Sequence, residues 1–378
     1  MTLRPRVAIA HDYLTQRGGA ERVVLSLLRA FPDAPVYTTL YHPDGTYPEF
    51  ADANIITSGL NAVPAFRADH RRALPLLPPA SSSMRIDADV VLASSSGWAH
   101  GFPASGRKVV YCHTPARFLY LTDEYLGGSA RSSLIGNALL ALRPALTWWD
   151  QRAARSADVY LCNSSVVRER IEAVYGIAAD VISPPAGLQT AGDHEPVPQL
   201  LDWADDYFLV VSRLMHYKNV DRVIEAFRGT AGKVVIIGHG PQRDALAADL
   251  PDNARLLQGL SDGALRWAYA HCRALIAASY EDYGLTPLEA GAFGKPCIAL
   301  RAGGFLDTVS DGVNGLFFAE PTPAAIRFAV AEAGTRTWDV ERIADHAAEF
   351  SETRFISRIR AVVSAQLRES GKPVAKVH

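Results

Sequence analysis

The chain has 378 residues, a length that suits about two domains each burying its own core, and its 48% hydrophobic and 21% charged fractions are ordinary for a globular protein. A net charge of −2 gives no overall field to gather nucleic acid, so any anionic partner must be met by local groups. Four cysteines, Cys112, Cys162, Cys272 and Cys297, lie scattered without paired spacing, which argues for buried thiols over a metal site or a disulfide framework.

Along the chain, "MTLRPRVAIAHDYL" opens with basic residues, but its apolar run is too short for a signal peptide. No run of about 18 apolar residues follows, so a cytoplasmic protein is expected. Short apolar runs then alternate with helical patterns. The runs at 6–11, 89–94, 107–113 and 157–164 read as buried parallel strands, with helices such as 20–31 and 165–175 between them. The segment "SPPAGLQTAGDHEPVPQ" (183–199) interrupts the alternation, which resumes at 207–213, 233–240, 273–279 and 295–302. The expected fold is α/β, two doubly wound Rossmann-like domains facing across a cleft. The expected boundaries are 1–187, 188–351, and a C-terminal helical segment at 352–378 that returns to the first domain and ends in a flexible tail.

In such sheets ligands bind beyond the carboxyl ends of the strands. The first such turn, "HDYLTQRGGAERVV", places Gly18 and Gly19 directly before a helix, either as a plain turn or as an approach for an anion. It is not the G-x-G-x-x-G fingerprint, so a dinucleotide site loses its main support. Gly238 and Gly240, followed by Pro241, read as a turn opening a helix.

The stretch "YEDYGLTPLEAGAFGKP" (280–296) sets two glutamates around a turn and a helix start. Thr286 has the features of an N-cap, Pro287 of the first helical position and Glu289 of the capping-box partner, which would make Glu289 structural. The amides of Gly284, Leu285 and Thr286 would face an anion beyond a strand end. Glu281 beside an anion site suits sugar hydroxyls, or positive charge developing on a sugar ring. "VVSRLMHYKNVDRVIEAF" (210–227) supplies Arg213 and Lys218 on a strand-to-helix turn, as cations for a diphosphate.

These residues carry a resemblance. "SYEDYGLTPLEAGAFGKPCIALRAGGFLDTV" resembles the Glu-x(seven)-Glu block of the retaining, group 1 nucleotide-sugar glycosyltransferases of GT-B fold. "VSRLMHYKNVDRVIEAF" is similar to that family's Arg-x(four)-Lys block, and "RGGAERVV" to its glycine loop. "YCHTPARFLYLTDEYL", "NSSVVRERIEAVYG" and "VISPP" are similar to the bacterial O-antigen mannosyltransferase (WbaZ-like) branch, which suggests GDP-mannose as donor in polysaccharide biosynthesis.

The resemblance implies roles. Gly18 and Gly19 let backbone approach the diphosphate, and Arg213 and Lys218 neutralise the departing nucleoside diphosphate. Glu289 holds the ribose, Glu281 lies by the donor sugar, and the amides of Gly284, Leu285 and Thr286 contact sugar and phosphate. His113 contacts the sugar near the transition state. No cofactor is expected, and no metal if the two cations and a helix dipole carry the leaving group's charge. Asp87 and Asp89 look like the DxD metal motif of another fold but lead into a strand, so strand-edge polarity is expected.

Two departures stand out: Asp307 where the block commonly has glutamate, and His100 where the branch often has lysine, which bears on the acceptor side. The acceptor itself is the least legible partner. Ile135, Leu139, Leu142, Leu146 and Trp149 fall at helical spacing, and Arg67, His70, Arg71 and Arg72 sit beside an apolar run. A basic, aromatic face resting on a membrane that carries a lipid-linked acceptor is one reading. A core helix kinked at Pro144 plus an exposed basic loop is the favoured one. A sugar-nucleotide 2-epimerase and a non-catalytic sugar-nucleotide binder are the alternative functions.

Overall fold

The computed structural model describes residues 5–121, 134–188 and 190–369. Two compact units divide the chain between Pro184 and Pro185 and again between Ser351 and Glu352, the helix Glu352–Glu369 belonging to the first unit.

The first unit is built on seven parallel strands: β1 (Val7–His11), β2 (Val36–Thr38), β3 (Ile55–Thr57), β4 (Val90–Ser95), β5 (Arg107–Cys112), β6 (Val159–Cys162) and β7 (Asp180–Val181). They lie in the order β3-β2-β1-β4-β5-β6-β7, so the winding reverses between β1 and β4, where His11 pairs with Ser94. Both faces are covered, which is why β4 reads as an unbroken buried run and not as an alternation. On one face Ile9, Leu92, Val109 and Tyr111 pack with Val24 and Leu27 of the helix Gly19–Ala30. Phe355, Ile359, Val363 and Leu367 join them, one helical stripe at four-residue spacing. On the other face Ala10, Val91, Val110 and Cys162 pack with Val167, Ile171 and Tyr175 of the helix Ser165–Tyr175. That helix is capped by the Ser164 hydroxyl and ends at Gly176, whose φ of +67° is the left-handed exit glycine permits.

The second unit holds six parallel strands: β8 (Phe208–Val211), β9 (Val234–Ile237), β10 (Ala254–Leu257), β11 (Ala274–Ala277), β12 (Cys297–Leu300) and β13 (Gly315–Phe318). Their order is β10-β9-β8-β11-β12-β13, with the reversal between β8 and β11. Side chains sort by the two-residue period. Val210, Ile236, Ile276 and Ile298 meet Val223, Ile224 and Phe227 on one face; Leu209, Val235, Leu275 and Cys297 meet Trp267, Tyr269 and Ala290 on the other.

All eight strands read from apolar runs are present, and the four cysteines are buried thiols. Five further strands, β2, β3, β7, β10 and β13, were not read from the sequence; β13 has a short apolar run at 316–318, and the other four strands have none that long. The helix Leu134–Ala154 carries Pro144 inside it, and its Leu146 and Trp149 pack with Phe66, Leu74 and Leu77, while Leu142 and Trp148 are exposed. The side chains of Ile135 and Leu139 lie outside the described residues, as do residues 122–126 of the mannosyltransferase-like stretch and the tail from 370. Among the described residues no helix is long and apolar enough to cross a membrane.

Candidate active site

In the second unit the candidate residues gather at the reversal between β8 and β11. The chain leaves β8, passes Arg213 and a short 3-10 turn (His216–Lys218), and reaches Asn219 at φ +55°. Asn219 Nδ2 donates to the carbonyl of Ala278 at 2.8 Å, tying this loop to the end of β11. The tie brings Lys218 to Glu281, whose Oε1 accepts from both the Lys218 ammonium and the Ser279 hydroxyl. Their side chains are 11% and 22% exposed, so the pair is shielded but open to water on one side. Arg213 is exposed and donates from Nη2 to the Tyr217 hydroxyl at 3.0 Å.

The backbone of Glu281 is clamped from the far side. Gly304 N donates to the Glu281 carbonyl at 2.8 Å, and a Cβ on Gly303, which sits at φ +61°, would fall 2.3 Å from that oxygen. The helix that follows spans Leu285–Ala292, with Gly284 as its N-cap and no side-chain cap. The expected capping box is therefore corrected: Thr286 is the second helical residue and Pro287 the third. Thr286 falls inside the helix because a Cβ at Gly284 would lie 2.5 Å from Thr308 Oγ1, and only glycine lets the chain turn in tightly enough to begin the helix there. The amides of Leu285 and Thr286 open the helix with no carbonyl inside it to bond. Glu289 is held elsewhere, its Oε2 accepting from the Tyr269 hydroxyl at 2.8 Å. Burial and then the Glu289 carboxylate push the Tyr269 phenol far above its ordinary value, so it stays a donor.

In the first unit the reversal between β1 and β4 holds a linked set. Gly18 caps the helix Gly19–Ala30 in an extended conformation open to any residue, so its conformation is not what asks for glycine. A Cβ there would lie 2.5 Å from Glu21 Oε2. Glu21 is 1% exposed; its Oε2 has no hydrogen-bond partner and its Oε1 lies 3.9 Å from His11 Nε2. His11 Nδ1 meets the Ser94 carbonyl at 3.0 Å and the Ser94 hydroxyl at 3.2 Å. That hydroxyl is 2.8 Å from His113 Nε2. His113, one residue past β5, is fixed by its amide on Ser95 O at 2.8 Å and by Asn163 Nδ2 on its carbonyl at 3.1 Å. Burial and then the neighbouring His11 lower the His113 pKa to about 3. For His11 burial alone would lower the value, but Glu21, Asp12 and the Ser94 carbonyl together raise it.

His100, which stands where the resembled branch often has lysine, is a core residue. Its Nδ1 is 3.1 Å from Ser95 Oγ, its Nε2 3.0 Å from Asp150 Oδ1, and both His100 and Asp150 are buried. Asp87 and Asp89 serve Arg6: Asp87 through an ion pair at 3.1 Å, Asp89 by accepting the Arg6 amide at 2.9 Å. Sequence reasoning missed His11, Glu21, Ser94, Tyr269 and Ser279. Only Glu21 left a signal, as an acid in the first turn after Gly18 and Gly19, and a favourable helix-dipole contact explains such an acid without a site.

Residues 195–348 match the family model described as glycosyl transferases group 1, and residues 17–186 match glycosyltransferase family 4. Curated relatives include glycogen synthases of Xanthomonas campestris pv. campestris, 34% identical over 129 residues (32% of this chain, 27% of theirs). A glycogen synthase of Pseudomonas syringae pv. syringae is 36% identical over 124 residues, 30% of this chain and 26% of its own. The chain thus spans about a quarter of the length of the curated relatives it matches. Among solved structures, HepE of Anabaena in complex with UDP aligns with a TM-score of 0.65 at 16% identity, over 95% of this chain and 100% of that one. Sucrose-phosphate synthase of Thermosynechococcus elongatus aligns at 0.69 and 15% identity, over 97% and 100%. At such identities the likeness is one of fold.

Proposed function

We propose that the chain, whose two halves match two glycosyltransferase family models, is a glycosyltransferase of GT-B fold that moves a sugar from a nucleoside-diphosphate donor to a hydroxyl of a glycan or lipid-linked glycan with retention of configuration. The observation that carries this reading is the cluster at the second sheet's reversal. There Lys218 pairs with the Glu281 carboxylate, with Arg213 on the loop after β8 and the first amides of the helix Leu285–Ala292 on the loop after the neighbouring strand β11, at the strand ends where such sheets bind ligands.

Arg213, Lys218 and the amides at 284–286 take the charge of the departing diphosphate, so transfer proceeds without a metal. Glu281 holds Lys218 in place and lies by the donor sugar. Glu289, oriented by Tyr269, binds the ribose hydroxyls. Gly18 and Gly19 let backbone come near the diphosphate, and His113 contacts the sugar. The glycosidic C–O bond to the diphosphate stretches first, the acceptor hydroxyl attacks from the same face, and the leaving phosphate takes the acceptor's proton.

For the donor, the mannosyltransferase-like stretches of the first half support GDP-mannose. The glycogen synthase relatives and the UDP-glucose complex of HepE support a glucosyl donor as the second reading. A cytoplasmic location goes with this reading, peripheral at the inner face of the cell membrane only if the acceptor is lipid-linked.

Incubation of the protein with GDP-mannose, UDP-glucose and other sugar nucleotides tests the proposal. Slow release of nucleoside diphosphate from one donor, accelerated by a glycan acceptor that takes the sugar, supports it and names the sugar. Formation of an epimer makes the protein an epimerase, and binding without turnover makes it a sugar-nucleotide binder.

A further inference from the structure

Outside the cluster at the second sheet's reversal, Glu21, His11, Ser94 and His113 form a continuous polar line at the first sheet's reversal. Its hydrogen bonds can be assigned one at a time. The Ser94 carbonyl can only accept, so at 3.0 Å His11 Nδ1 carries a proton and donates. The same N–H reaches the Ser94 hydroxyl oxygen at 3.2 Å. Ser94 is fully buried, so its hydroxyl hydrogen needs an acceptor within the protein, and His113 Nε2 stands at 2.8 Å. The opposite assignment, in which His113 Nε2–H donates to Ser94, would strand that hydroxyl hydrogen in the core at the full cost of a buried unsatisfied donor.

We propose that Glu21, His11 and Ser94 are positioning residues that hold His113 as the neutral tautomer protonated on Nδ1. In this state His113 offers an N–H to an oxygen of the donor sugar, and Nε2 is occupied, so the ring takes no proton during transfer. Each member has its task. The Ser94 hydroxyl fixes the tautomer. The Nδ1–H of His11 fixes the Ser94 hydroxyl. Glu21, facing His11 Nε2 at 3.9 Å, stabilises positive charge on His11, which opposes protonation of His113 next to it. The depressed pKa of His113 agrees with this arrangement. The service of His113 to a sugar rests on the proposed function; its tautomer does not.

The test is a long-range proton–nitrogen NMR correlation of the histidine rings in the full-length 15N-labelled protein, with His113→Gln to assign the resonance. The expected wild-type signature is a pyrrole-type Nδ1 and a pyridine-type Nε2 at neutral pH. In Ser94→Ala the ring loses its donor and shifts toward the Nε2–H form that free histidine prefers. Donor kcat then falls about tenfold with KM little changed, the upper end of one neutral hydrogen bond. Ser94→Thr, which keeps the hydroxyl, restores both. A pyridine-type Nδ1 in the wild type, or a His113 signature unmoved by Ser94→Ala, overturns the proposal. Should Ser94→Ala fail to fold, the wild-type spectrum decides alone. A confirmed tautomer in a protein that turns over no sugar nucleotide would leave this assignment standing and remove the proposed function instead.

Discussion

Glu281 and Lys218 come from different loops of the second sheet, yet one carboxylate oxygen of Glu281 takes hydrogen bonds from the Lys218 ammonium and from Ser279 together. Lys218→Ala therefore removes a cation from the proposed donor site and also strips a shielded carboxylate of its cationic partner. With the pair partly exposed, that loss costs about 1–3 kcal/mol, between the surface and buried limits. Glu281→Gln in the Lys218→Ala background removes the stranded charge, so the double variant should melt higher than Lys218→Ala alone. Donor kcat/KM should fall roughly 10–150-fold in Lys218→Ala, the range for a hydrogen bond to a charged group. Calorimetry on the four proteins of the cycle checks the pairing; strictly additive stabilities would dissolve it.

Tyr269 and Glu289 make a second separable pair. The hydroxyl of fully buried Tyr269 aims Glu289 Oε2, and its ring stacks on Phe293 at 5.7 Å. Tyr269→Phe keeps the stack and removes the hydrogen bond from the hydroxyl to Glu289 Oε2. The expected result is a stability loss of about 1–2 kcal/mol and a several-fold rise in donor KM at nearly constant kcat, because ribose contacts serve ground state and transition state alike. A fall in kcat at unchanged KM would place Glu289 at the reacting carbon and not on the ribose.

The pH dependence of stability carries a mark of His113. An unfolded chain protonates this histidine near 6.5, whereas the folded chain resists until about 3. Between those values the unfolded state binds more protons, so stability falls as pH falls. His11 acts oppositely: its raised pKa lends stability that is complete below about 6.5 and is lost as pH rises through its folded value. His113→Gln should therefore flatten the fall in Tm between about pH 7 and pH 5 relative to wild type, the carboxylates being common to both. Parallel profiles would mean that His113 is not held neutral.

How far the sequence reached follows from what each residue must advertise. Strands buried on both faces announce themselves as apolar runs, and eight were legible that way, while β13, with Leu316 and Phe318 on one face and Phe317 on the other, was passed over. "VYT" at 36–38 and "IIT" at 55–57 are three-residue strands with polar ends, too short to stand out from loops. Arg213, Lys218 and Glu281 stand out as candidates in the sequence because turn chemistry and charge mark them locally. The Lys218–Glu281 pair was not, since its partners lie 63 residues apart and meet only through the Asn219 tie to β11. The capping box failed because Thr286 offered the right local signal while the packing of Gly284 against Thr308 moved the helix start two residues earlier. Ser94 and His11 looked like ordinary strand residues; their chemistry exists only once β1 and β4 are side by side.

Gly18 offers the most direct test of what a glycine in that loop is for. A loop glycine beside an anion site is usually credited with backbone approach to the ligand, and that reading makes no mention of Glu21. The structure adds another demand, since a methyl group at position 18 would fall 2.5 Å from Glu21 Oε2. The glutamate is fully enclosed and cannot swing clear without leaving His11. Gly18→Ala should then destabilise the chain by about 1–3 kcal/mol, as overpacking of a closed site does. Glu21→Ala alone should also cost stability, by removing the carboxylate that His11 faces. In the double variant the clash has no partner, so Gly18→Ala should cost almost nothing once Glu21 is alanine, and the measured coupling should approach the whole single-variant loss. If Gly18→Ala is equally harmful in both backgrounds, the glycine serves the backbone alone. If it is harmless to stability in both but raises donor KM, the ligand is what needs the space.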